Sequence, residues 1–259
     1  MQAVEVLLAE RLEHDGAADE AHGARAARRD GSGVGHPAIL GPLRPGERSR
    51  PRASMGSMAD SALFETSAAA FVRLLERIRD DQWTLPALGE WDVRGLAGHT
   101  SRAILTVEAY LGAPEPAEAT VPDALAYYGA LAGNIGDPAA VARRGVQAGA
   151  ALGDRPAVVA AEALRRASAR LAEQPPGRLV AVGPHSLALD EYLRTRVLEL
   201  VVHSVDLSRA TGAPHGLPGP AVEAACALAG SLAARSGRAE EFLMAVSGRD
   251  GLPAGFSVV

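Results

Sequence analysis

Apolar side chains that return every third or fourth position constrain this chain more than any other feature, because such a stripe is buried by packing one face of an α-helix. Phe64, Ala68, Phe71, Leu75 and Ile78 follow that rhythm and predict a first helix from Ala59 to about Asp80. A turn at Leu85-Pro86-Ala87-Leu88-Gly89 separates it from a second helix over Val93 to about Leu111, for which Asp92 is a good N-cap. A third long helix takes Asp154 as its cap and Pro156 in its first turn, with Ala157, Ala160, Leu164, Ala167 and Leu171 as its stripe. The fourth runs from Asp190 to about Ala210, where Gly212 suits the C-cap and Pro214 prevents continuation. Four such stripes bury one another, and the expected fold is an all-α four-helix bundle.

Shorter elements decorate it. A short helix is expected at Asp123 to Ala132, ended by Gly136-Asp137-Pro138, then a weaker helical run from Ala139 to Leu152. Leu179 to Val182 and Leu187 to Leu189 flank Gly183-Pro184-His185-Ser186 as one small hairpin. Further helices are expected at Pro220 to Ala234 and Ala239 to Val246. Ala and Leu dominate an apolar content of 47%, with only 4% aromatic residues, which favours helix and one single-core domain over residues 58–259.

Charge and cysteine usage exclude several classes. All 26 basic residues are Arg, yet the net charge is −5, so the phosphate-neutralising face of a nucleic-acid binder is not expected. No apolar run approaches the ~20 residues of a membrane span, and without a basic region followed by an apolar run near Met1 export is not expected. One cysteine, Cys226, is read as a small core residue of a protein in the reducing cytoplasm.

Chemistry concentrates on the fourth helix. Tyr192, Arg196, Glu199, His203 and Asp206 are spaced by four, three, four and three, so they share one face, while Leu193, Val197, Leu200, Val201 and Val205 lie opposite. Glu199 and His203 stand at i, i+4, close enough to chelate one ion; His99 on the second helix is the best third ligand, because Gly98 beside it permits close helix approach. Two imidazoles and one carboxylate suit Zn²⁺ or another borderline divalent ion and leave positions open. Arg196 and Asp206 are candidates to orient these ligands or hold an anionic substrate. Spacing alone leaves two readings open, this metal site or an ordinary solvated Glu/His pair. Arg94, Arg102 and Arg194 are equally open between anion binding and plain exposure, and Trp91 reads as a helix-packing anchor. His14, His22, His36 and His215 lie in Gly/Pro-rich segments, and of the remaining histidines only His185 is placed to approach the site.

Three stretches resemble a known family, the mycothiol-dependent maleylpyruvate isomerases within the DinB-like metal-binding bundles. Trp91-Asp92-Val93-Arg94-Gly95-Leu96-Ala97-Gly98-His99 is similar to the family's tryptophan, helix start and first histidine ligand. Residues 196 to 207, Arg-Val-Leu-Glu-Leu-Val-Val-His-Ser-Val-Asp-Leu, resemble its Glu and His ligand helix, and residues 245 to 253 an ending common among shorter members. The resemblance implies a DinB-like bundle in which His99, Glu199 and His203 hold a divalent metal, expected to be zinc. It also implies that mycothiol, a cysteine-containing sugar thiol, brings its sulfur to that ion as cosubstrate for an electrophilic substrate, either adding and leaving in an isomerisation or staying on the product in a transfer. The isomerase carries a further C-terminal domain that this chain does not reach, so the expectation is a metal-dependent thiol transferase or isomerase of the superfamily, with a non-catalytic metal-binding bundle as the alternative.

Residues 1–57 differ from the rest, with Gly, Pro and Arg clusters at Arg28 to Gly33 and Arg44 to Arg52 and at most a short helix at Val4 to Glu13. They are expected to be disordered, or to precede the true start at Met55 or Met58. N-terminal sequencing of the native protein checks this: a start at either methionine is the expected result, and a start at Met1 removes that reading.

Overall fold

The computed structural model describes residues 55–132 and 138–258. The N-terminal segment with its expected helix at Val4 to Glu13, and the stop at Gly136-Asp137, lie outside them. Within the described residues the helices are α1 (Met55–Leu75), α2 (Val93–Leu111), α3 (Ala124–Ala132), α4 (Pro138–Ala151), α5 (Pro156–Ala172), α6 (Leu189–Thr211), α7 (Gly219–Arg235) and α8 (Ala239–Val246). Two small antiparallel hairpins accompany them, β1 (Pro86–Leu88) with β2 (Trp91–Asp92), and β3 (Leu179–Val182) with β4 (His185–Ala188). The fold is all-α in character. No helix among the described residues is long and apolar enough to cross a membrane.

The four long stripes pack on one another as α1, α2, α5 and α6, each helix against two neighbours, with α4 laid on α2 and α7 on α6. Phe64, Ala68, Phe71, Leu75 and Ile78 are all buried, as the first stripe requires. Helix α1 nevertheless ends at Leu75, five residues earlier than expected. Arg77 N–H and Ile78 N–H donate to the carbonyls of Leu74 and Leu75, a tight final turn that carries Ile78 into the core without continuing the helix. Buried Gln82 then pins the connection, its amide donating to the Thr211 carbonyl at 2.6 Å while its oxygen accepts the Arg79 N–H at 3.0 Å.

Other local expectations divide. Asp92 caps α2 through the Gly95 N–H at 2.7 Å, and Gly212 closes α6 in the left-handed conformation at φ 72°. Asp154 does not cap α5; Arg155 occupies the cap position without a side-chain bond, and Pro156 at the helix start has no N–H that needs one. The turn at Leu85 to Gly89 holds β1, paired with the Trp91 segment. In the second hairpin His185 and Ser186 belong to β4, and the turn is Gly183-Pro184 alone, with Gly183 at φ 60°. Cys226 is exposed on α7, contrary to its reading as a core residue: Ala221 and Ala225 supply the buried edge of that helix, and Cys226 falls one position past it.

The run expected to be a weaker helix, α4, makes the most extensive helix contact among the described residues, against α2. Its surface is poor in large apolar side chains because the two backbones touch. A methyl group at Gly98 would collide with the Gly149 backbone, and one at Gly149 would reach the Arg94 carbonyl oxygen at 2.5 Å. Gly98 does permit close approach, but to α4 and not to the helix carrying Glu199. We therefore expect Gly98→Ala to destabilise the chain by about 2–3 kcal/mol through overpacking. Gly129→Ala, with open space around it in α3, should be neutral or stabilising by up to ~1 kcal/mol. Urea denaturation of the two variants checks this.

Candidate metal centre

His99 reaches the centre from the second turn of α2, while Glu199 and His203 come one turn apart from the middle of α6, which packs directly against α2. Both faces of α6 are occupied: Leu193, Val197, Leu200 and Val201 are buried in the core, and the opposite, ionisable face turns toward α2, α3 and α4. His99 Nε2 lies 3.8 Å and His203 Nε2 3.4 Å from the same Glu199 oxygen, Oε2. The three side chains offer ligand atoms that all fall within 4.8 Å of one another. Ligand atoms bound tetrahedrally at zinc distances stand roughly 3.3 Å apart, so these separations suit a shared cation better than direct hydrogen bonds.

Each side chain is held from behind. His203 Nδ1 lies 3.2 Å from Asp206 Oδ2; a carboxylate accepts, so Nδ1 holds its proton there and Nε2 is the ring atom turned to the centre. Tyr128, buried on α3, donates its hydroxyl to Glu199 Oε1 at 3.2 Å and leaves Oε2 facing the imidazoles. Burial and the Glu199 charge push the Tyr128 phenol well above its ordinary range, which keeps it a donor. Trp91 stacks on His99 with ring centres 4.5 Å apart and donates its indole N–H to the Ala142 carbonyl of α4 at 2.8 Å. It is thus a packing anchor, as expected, and also the wall that fixes the His99 ring.

Electrostatics match the donor chemistry. Burial, helped by the nearby His203, holds His99 below the usual imidazole value, so its ring is neutral and ligand-competent near pH 7. Burial would raise Glu199, but both histidines and Arg196 outweigh it and hold the carboxyl well below its usual range. Burial likewise opposes a charged His203, yet the Asp206 and Glu199 carboxylates push that ring up to about 9. A cation bound at this position would take over the role of that proton.

A cavity of about 290 Å³ opens against the centre, with His99 and Glu199 in its wall together with Arg102, Arg144, Arg196 and Tyr192. His99 and Glu199 therefore face a cleft and not a sealed interior. Arg196 stacks on Tyr192 at 4.9 Å and donates to Thr195 Oγ1. Arg94 bonds the Gly153 carbonyl and Arg194 pairs with Asp60 and Glu191, so of the three arginines with open roles only Arg102 borders the cleft. His185 packs on Tyr127 instead of joining the ligands. Cys226 is not among the cavity residues.

Residues 64–208, more than half of the chain and including every side chain of this centre, match the family described as mycothiol maleylpyruvate isomerase N-terminal domain. The chain belongs to that family. Comparison with curated proteins and with solved structures finds no match. The similar ending at residues 245 to 253 lies beyond the matched span. The family's name links its members to mycothiol, and the His/Glu cluster supplies a place where an ion could sit.

The sequence does not mark Tyr128 or Arg144. Neither carries a spacing signal, since each reaches the site from a short or glycine-bearing helix whose placement depends on tertiary packing. Tyr128→Phe and Asp206→Asn should each weaken metal affinity by about 10- to 100-fold without removing a ligand, as measured by competition with a chromogenic chelator.

Proposed function

We propose that this chain is a zinc-dependent enzyme that uses mycothiol, or a similar low-molecular-weight thiol, for transfer to or isomerisation of an electrophilic substrate. The observation that carries this reading is a donor set that is open among the described residues: two imidazoles and one carboxylate gathered beside a cleft. A closed structural site would fill its fourth position from the protein. When bound, zinc would supply an open Lewis-acid position that lowers the pKa of an incoming thiol and so provides a nucleophile at neutral pH.

The chain's own residues do the rest. His99, Glu199 and His203 hold the ion; Asp206 fixes the His203 tautomer and Tyr128 fixes the Glu199 carboxylate. Trp91 and the α2–α4 contact keep His99 in place and shield that side of the centre from water. Arg196, next to Glu199 and in the cavity wall, is set to orient a bound anion rather than to exchange protons, because a guanidinium stays charged. With Cys226 exposed on α7 and away from the cleft, the nucleophilic sulfur comes from the cosubstrate. A free thiol of this kind persists in the reducing cytoplasm, where we place the protein.

The experiment is elemental analysis followed by a thiol-dependent electrophile screen. The native chain should retain about one zinc per chain, and His203→Ala should lose both the metal and thiol-dependent turnover. Chelation should abolish turnover and lower the melting temperature, with zinc restoring both. Full metal retention in His203→Ala contradicts the reading, and retained metal with no thiol chemistry favours a metal-binding bundle without catalysis.

A further inference from the structure

The cleft gathers three guanidiniums. Arg102 lies one turn after His99 on α2, Arg196 one turn before Glu199 on α6, and Arg144 comes across from α4; all three line the same space of about 290 Å³ as the two ligands. Like charges do not converge without a counterpart. Burial and then the nearby Arg144 and Arg196 charges disfavour the Arg102 cation, with the tyrosines opposing. Elsewhere the fold answers such charges with carboxylates, as in Arg166 with Glu108, Arg178 with Glu115 and Arg194 with Asp60. Among the described residues no ion pair joins Arg102, Arg144 or Arg196 to a carboxylate. Glu199 is the one acid in the cavity wall; its charge favours the Arg196 cation, but its two oxygens are turned to Tyr128 and to the imidazoles, and Arg102 and Arg144 have no acid of their own there.

We propose that Arg102, Arg144 and Arg196 form a binding site for a carboxylate of the electrophilic substrate, holding the substrate's reactive carbon toward the ion-binding end of the cleft. A guanidinium matches a planar carboxylate with paired hydrogen bonds, and three arriving from separate helices fix the direction from which it enters. The volume is at the lower end for ligand pockets and suits a small organic acid. Substrate orientation rests on the thiol-enzyme reading, whereas anion binding at the arginines needs no metal.

Calorimetric titration of the full chain, chelator-treated and zinc-loaded, with succinate, succinamide and inorganic phosphate tests this at fixed ionic strength. Succinate should bind both forms, and succinamide at least about tenfold more weakly. Arg102→Gln and Arg144→Gln should each weaken succinate by about tenfold or more, with Arg144→Lys intermediate because it keeps the charge and loses the fork. Arg143→Gln, exposed on the same helix, should bind as the native chain does. Thermal melting establishes that each variant is folded, and relief of like-charge repulsion predicts that the glutamine variants melt no lower than the native chain. Equal binding of succinamide, tighter binding of phosphate, or full succinate affinity in both glutamine variants overturns the proposal. So does loss of succinate binding on chelation alone, which would assign the anion to the ion. Absence of metal or thiol chemistry with intact succinate binding would remove only the thiol-enzyme reading.

Discussion

The backbone contact between α2 and α4 at Gly98 and Gly149 organises the functional half of this molecule. A side chain at either glycine would occupy space already filled by the opposite main chain. Because α4 lies that close, the Trp91 indole reaches the Ala142 carbonyl and lies so close to Gly145 that a methyl group there would overlap the ring. Trp91 in turn stacks on His99, and Arg144 is delivered to the cleft. One steric constraint therefore sets both a candidate ligand and a wall of the pocket. Glycine suits these positions through its size alone, since neither has a left-handed backbone.

The second constraint is electrostatic. A carboxylate and two imidazoles in a partly buried space need partners on every side. Tyr128 and Asp206 satisfy the outward atoms of Glu199 and His203, and what remains unsatisfied points to a common position. The arrangement is economical in sequence, because α6 contributes Arg196, Glu199, His203 and Asp206 from one face while its other face anchors the core through Leu193, Val197 and Leu200. Such a helix cannot be displaced without losing packing and site together.

Much of this was legible in the sequence, and the parts that were not have physical causes. The stripes of the four long helices and the spacing of Glu199 and His203 are local, periodic signals, and the structure places those helices and those side chains accordingly. Helix α4 read as weak because its packing is made by Gly145, Ala148 and Gly149, and small residues leave no hydrophobic period. Gly98 does signal close approach, but the helix that arrives is α4, and spacing says nothing about which helix that is. Cys226 reads as a core residue, though it is exposed, because an Ala-rich helix blurs its own buried edge. Tyr128 and Arg144 act across 71 and 42 positions of chain relative to Glu199 and Arg102, and only tertiary structure brings such pairs together.

Zinc-edge X-ray absorption of the native protein, before and after addition of the thiol, bears most directly on whether this centre is an open position for sulfur. Two imidazoles, a carboxylate and solvent should give a shell of nitrogen and oxygen atoms at about 2.0–2.1 Å, with one sulfur appearing at about 2.3 Å when the thiol is added. A shell that stays free of sulfur at saturating thiol, or one that already contains four protein ligands, would contradict it.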